Sequence, residues 1–116
     1  MLQEVLKSNV AKANSSRDVF RAVADPTRRE MLDRLAVEDL PVTELAESFR
    51  MSLPAVSQHL KVLREAGLVK DRREGRQHVY TLIPGPLKEV SDWVDVYERF
   101  WKTKLGKLHD HLRKNI

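Results

Sequence analysis

Ser57, Gln58, Lys61 and Arg64, with Pro54 ahead of them, recur at the spacing that places side chains on one side of a helix. A hydroxyl and a carboxamide donate and accept hydrogen bonds as the exposed edges of base pairs do. A glutamine can pair with adenine through two bonds, and apolar Pro54 or Ala55 can meet a thymine methyl. Lys61 and Arg64, a turn or two later, have the charge and reach for phosphates, which position a protein on a duplex without reading its sequence. The chemistry offered is non-covalent recognition of double-stranded DNA. Val56, Leu60 and Leu63 recur on the opposite side and require a core.

The elements around this stretch must hold it in place. Asp25-Pro26 is a start signal, an N-cap acceptor followed by proline at the first helical position, and opens the helix PTRREMLDRLAV with Met31, Leu32 and Leu35 inward. EDLP separates it from VTELAESF, a short helix with Leu45, Ala46 and Phe49 inward. Thr43 near its start is a further candidate phosphate contact. After the turn RMS, Ser52 caps the helix 53–66, and Gly67 stops it in a left-handed conformation. LVKDRR and RQHVYTL alternate as two strands about Glu74-Gly75, a hairpin within 68–82. Upstream, Met1 to about Asn14 reads as a helix, and Ser16 caps RDVFRAVA. After the breaker PGP, a helix runs from about Leu87 to Arg113. Two helices joined by a tight turn and followed by a hairpin make a helix–turn–helix with a wing, whose second helix enters the major groove.

Charge follows the same plan. The 116-residue chain has a net charge of +4, permissive of nucleic acid and no more. Its placement is more informative. From Met51 to Leu82, Lys61, Arg64, Lys70, Arg72, Arg73 and Arg76 face Glu65, Asp71 and Glu74. Arg72, Arg73 and Arg76 flank the hairpin turn, where they can reach the neighbouring minor groove or its phosphates. An exposed hairpin also carries arginines as solvated charges, and it is the adjacent helix–turn–helix that favours DNA. Ser52 and His59 complete the candidate DNA-binding set; His59 and His78 are expected as packing or polar-contact residues rather than metal ligands.

Other chemistries are poorly served. The absence of cysteine excludes disulfides, thiolate metal sites and cysteine nucleophiles. No Gly-rich phosphate loop, serine–base motif or His-Glu metal motif assembles a reaction centre, so no enzyme and no cofactor are expected. No apolar run approaches the ~18 residues that span a bilayer, and the opening segment lacks the apolar core of a secretory signal. A cytoplasmic protein without membrane contact is the expectation.

The stretch FRAVADPTRREMLDRL followed by PVTELAESFRMSLPAVSQHLKVLREAGLVKDRREGRQHVYTL resembles the ArsR-type, or arsenic-repressor-like, winged-helix repressors of bacteria. AVSQHLKVLREAGLV with REGRQHVY is its most specific part. The resemblance implies a homodimeric repressor on a near-palindromic operator, paired through its terminal helices. Leu2, Val5 and Leu6 would contribute from the first helix, and Trp93, Tyr97, Phe100, Trp101, Leu105 and Leu108 from the last. The apolar stripe on the last helix fits independently, because a monomer rarely leaves so large a patch exposed.

Two departures from the family pattern matter. Arg50 stands where the turn usually has glycine. The metal-sensing members place cysteines in the helix corresponding to VTELAESF, or an Asp-x-His and later histidines on the last helix, and SDWVDVYERF has no histidine. His109, Asp110 and His111 remain, but two histidines two apart point to different helix faces and suit chelation by one helix poorly. No metal site is assigned, a site shared across a dimer stays open, and any effector is unspecified. Two alternatives accompany the repressor: a His/carboxylate metal- or ligand-gated member of the same family, and a winged-helix module that docks protein. The expected architecture is mainly α with a two-stranded β wing: an N-terminal helical segment 1–16, a winged helix–turn–helix 17–83 and a dimerisation helix 84–116.

Overall fold

Asp25 joins two helices with no loop between them. The computed structural model describes residues 18–114, with side chains through residue 104. Helix α1 covers 18–24 of these, and α2 spans Pro26–Val37. Asp25 Oδ2 accepts the Arg28 backbone N–H at 2.9 Å, and Pro26 sits where a missing N–H costs nothing. A helix that stops so abruptly leaves its last four carbonyls without partners. Arg28 and Arg29 fold back to supply them. Arg28 donates to Ala22 O at 2.8 Å and Arg21 O at 2.9 Å, and Arg29 donates to Val23 O at 2.8 Å and Ala24 O at 3.2 Å. The expected helix over 1–14, with Leu2, Val5 and Leu6, and the Ser16 cap lie outside the described residues.

After α2, Leu40–Pro41 forms β1, Val42–Phe49 α3 and Leu53–Glu65 α4. Arg34 Nη1 donates to Ser48 Oγ at 2.9 Å, tying α2 to α3. Two helix ends shape the turn and the stop. At the end of α3, Arg50 adopts φ 52° and ψ 42°, while Arg50 N–H bonds Glu47 O and Met51 N–H bonds Ala46 O. At the end of α4, Gly67 adopts φ 74°, while Gly67 N–H bonds Arg64 O and Leu68 N–H bonds Leu63 O. Both are the paired-bond termination that a left-handed residue permits. Glycine enters that conformation freely; Arg50 enters it at a cost.

Strands β2 (Val69–Glu74) and β3 (Gln77–Leu82) pair antiparallel, with Glu74 opposite Gln77 across Gly75 and Arg76. Gly75 has φ 62°, the geometry that a two-residue hairpin turn asks of glycine. The sheet has three strands in the order β1-β3-β2, with Leu40 opposite Tyr80 and Pro41 opposite Val79. The two-stranded wing expected from sequence is the β2–β3 hairpin, and the short β1 adds a third strand beside β3. Pro41 tolerates this place because an edge strand can lack one N–H. A short 3₁₀ turn, Gly85–Leu87, leads into α5, Lys88–Lys114.

The core joins all of these elements. Val19 and Ala22 from α1, Met31, Leu32 and Leu35 from α2, Leu40, Leu45, Ala46, then Val56, Leu60 and Leu63 from α4, and Leu68 and Val69 beyond it form one buried cluster. Phe49, Tyr80 and Val90 pack against it, partly buried.

Replacing Arg50 with glycine relieves the left-handed strain at the price of a freer unfolded chain, and should raise unfolding free energy by about 0.5–1 kcal/mol in urea denaturation. Asp25 supplies an acid dependence. The Arg28 backbone N–H, with the Arg28 charge behind it, holds the Asp25 carboxyl below the usual carboxylate range. A depressed folded pKa stabilises the fold above the unfolded value, and that share is lost as pH falls through the folded one. Asp25→Asn should therefore show a shallower loss of melting temperature below about pH 4 than the parent chain.

Candidate nucleic-acid interface

The core fixes which side of α4 meets solvent. With Val56, Leu60 and Leu63 buried, Ser57, Gln58, Lys61 and Arg64 are exposed, as are Ser52 and Pro54, and Ala55 is half-buried. Ser52 Oγ accepts the Ala55 N–H at 3.3 Å, so this hydroxyl caps the helix and keeps its own proton to donate outward. Leu53 is 49% exposed. Its position three before Val56 puts it on the apolar stripe, yet Leu53 itself lies outside the core cluster. It adds an apolar contact beside Pro54 that the periodicity hides. Thr43 is exposed on the first turn of α3, where N-cap Pro41 supplies no side-chain bond to the helix amides.

The wing separates into bound and unbound charges. Arg72 Nη1 meets Asp39 Oδ2 at 2.8 Å and Thr81 Oγ1 at 3.0 Å, while its Nε meets Glu74 Oε1 at 2.8 Å. Asp39 is held below the usual carboxylate range first by its hydrogen bond from Arg72, and the same partner raises Arg72. This arginine braces the sheet edge against the end of α2. Arg73 reaches only the carbonyl of Gly75, at 3.4 Å; for Arg76 and Lys61 no ion pair forms among the described residues. Asp71 on β2 links the wing to α4, lying 3.7 Å from Arg64 Nη1 and 3.2 Å from His78 Nδ1 on β3. Burial, followed by the Asp71 charge, holds the neighbouring Tyr80 phenol above its ordinary value.

His59 lies apart from this surface. It is turned toward the α1–α2 junction, 3.4 Å from Arg28 Nη1 and 4.0 Å from Asp25 Oδ2.

A second surface lies on α5. Trp93, Val96, Tyr97, Phe100 and Trp101 are each roughly half exposed. Phe20 of α1 meets Trp93 edge-on at 5.6 Å, and Trp93 meets Tyr97 at the same separation. Side chains of Leu105, Leu108, His109, Asp110 and His111 lie outside the described residues. Among the described residues, no group of three or more His, Cys, Asp or Glu side chains comes together as a metal site, and no helix is long and apolar enough to cross a membrane.

The family model for bacterial regulatory proteins of the arsR family matches residues 25–71, from the Asp25 cap into the wing. The transcriptional repressor SdpR of Bacillus subtilis is 38% identical over 77 residues, covering 66% of this chain and 86% of that protein. This chain belongs to the ArsR family. The regulator Rv2034 of Mycobacterium tuberculosis is 48% identical over 86 residues, covering 74% of this chain and 78% of its own length. Among solved structures, the homodimeric winged helix–turn–helix DNA-binding domain Mb0332 of Mycobacterium bovis aligns with TM-score 0.65 at 26% identity, over 82% of this chain and 89% of that one. This ArsR-family chain is a DNA-binding regulator of transcription, not an enzyme. The winged helix–turn–helix expected from sequence is the fold observed.

The division of wing charges has a measurable consequence. Removing an arginine that neutralises a phosphate lowers the slope of log affinity against log salt by about 0.9. Arg73→Ala and Arg76→Ala should each do so; Arg72→Ala, already paired within the protein, should leave the slope within error while lowering the melting temperature.

Proposed function

We propose that this ArsR-family regulator is a homodimeric repressor that reads a near-palindromic operator with α4 in the major groove and the wing on flanking DNA. The observation that carries this reading is the polar face of α4: Ser57, Gln58 and Lys61 are exposed on a helix whose other side is locked into the core. Ser57 and Gln58, with Leu53, Pro54 and Ala55 beside them, supply base-edge contacts. Thr43, Ser52, Lys61 and Arg64 supply phosphate contacts, with Arg73 and Arg76 on the wing. Arg72 serves the same surface indirectly, by stiffening the strand that carries Arg73.

Pairing of two chains through α5 is supported by its exposed aromatic row, a large apolar patch for a monomer to leave in water. It is supported also by the homodimeric state of Mb0332; the repressor role is supported by the similarity to SdpR, a transcriptional repressor. A two-fold axis there sets two copies of α4 on successive turns of one duplex face, about 34 Å apart. The working division is then an N-terminal segment 1–16 and a C-terminal segment 84–116 for pairing, around a DNA-binding unit 17–83. A regulator that acts on chromosomal DNA works in the cytoplasm of a bacterial cell.

Affinity selection from a random duplex library should return two inverted half-sites spaced by one helical turn. Gln58→Ala should cost about 1–3 kcal/mol on the selected site and relax preference at one position per half-site. Lys61→Ala should weaken matched and scrambled duplexes alike. In sedimentation velocity, Phe100→Glu should shift the chain from dimer to monomer and lower operator affinity with it. A chain that sediments as a monomer and selects no sequence would make the aromatic face a docking surface for another protein.

A further inference from the structure

Among the described residues, two side chains of α4 make polar contacts with neighbouring elements. Arg64 reaches Asp71 on the wing side. On the other side His59, adjacent to Gln58, reaches Arg28. The second contact is built with more constraint. Arg28 Nε and Nη2 are spent on the carbonyls of Ala22 and Arg21, and its backbone N–H on Asp25 Oδ2. The guanidinium is a planar fork held on the end of α1, so the direction of Nη1 is set before it meets His59.

The chemistry at His59 follows from the inventory of donors. Arginine offers hydrogens and accepts none, so a contact from Nη1 to Nδ1, at 3.4 Å, needs a lone pair on Nδ1. Asp25 Oδ2 lies 4.0 Å from the same nitrogen, beyond hydrogen-bond range, and already accepts from Arg28. A hydrogen bond between Arg28 and His59 therefore requires the ring hydrogen on Nε2, leaving Nδ1 to accept. The first partner of this lock, α1, also carries Phe20, which packs on Trp93 of α5.

We propose that Arg28 and His59 are positioning residues for DNA recognition: the fork that closes α1 fixes the angle at which α4 presents Ser57 and Gln58, and His59 must be in its neutral Nε2–H form to accept it. The inference rests on the reading of α4 as the recognition helix. Through Phe20 and Trp93 the same fork references α4 to the aromatic face of α5. Neither residue needs to touch DNA.

Two measurements on the full chain test it. Long-range ¹H–¹⁵N NMR of the free protein should find Nδ1 of His59 unprotonated, and the tautomer preference should weaken in Arg28→Lys, which keeps the charge and loses the fork. A protonated Nδ1 in the parent chain at neutral pH would overturn the proposal. Binding is then compared on a duplex selected by the parent chain. His59→Phe should weaken it about tenfold with a melting temperature near the parent's, and Gln58→Ala should cost markedly less in that background than in the parent. Losses from His59→Phe and Gln58→Ala that simply multiply would make His59 an independent contact and overturn the proposal. The tautomer is read without DNA, so its failure is separable from a failure of the recognition helix to bind.

Discussion

The burial of Val56, Leu60 and Leu63 is the constraint on which the DNA-facing surface depends. Successive residues of a helix are turned by about 100°, so committing these three to the core commits Ser57, Gln58 and Lys61 to the outside. Rolling α4 to hide its polar side would return those three side chains to water. At about 1.5–3 kcal/mol each, that forfeits roughly 5–9 kcal/mol, comparable with the whole stability of a small domain. The interface is therefore a by-product of the core. It requires no strain in α4 itself, only a helix that begins and ends where it should.

The ends are set by different devices. Ser52 opens α4 with a side-chain cap, and Gly67 closes it with the left-handed turn that frees Leu68 to enter the core. Arg50 makes the preceding turn in the same geometry without glycine's freedom. The junction at Asp25 is the least ordinary of them, because two arginines near the start of one helix finish the hydrogen bonding of the helix before it. Side chains that composition counts as surface charge are, in this place, part of the backbone's own accounting.

Most of the helix boundaries were legible in the sequence because they depend on neighbours in the chain. Asp25-Pro26, Ser52, Gly67 and Gly75 each act over a few residues, and the signals coincide with the elements observed. What was not legible acts across distance. Leu40 and Pro41 are too few to show a period, and their strand exists only because Tyr80 and Val79 come alongside. Arg72 read as one of three equivalent wing arginines, until Asp39, 33 residues away, was found holding it. His59 lies one residue past Gln58, and only its contact with Arg28 distinguishes a supporting residue from a reading one. The exposure of Leu53 belongs to the same class: periodicity knows the face of a helix but not where the core stops.

The central claim is that the polar side of α4 lies against the edges of duplex DNA. A chain without cysteine allows a direct test: Ser57→Cys carrying an iron-chelate cleavage reagent, mixed with the selected duplex. Strand scission centred in the major groove of each half-site is the predicted result. No scission from that position, with scission from the same reagent at Val96→Cys on the aromatic face, would contradict it.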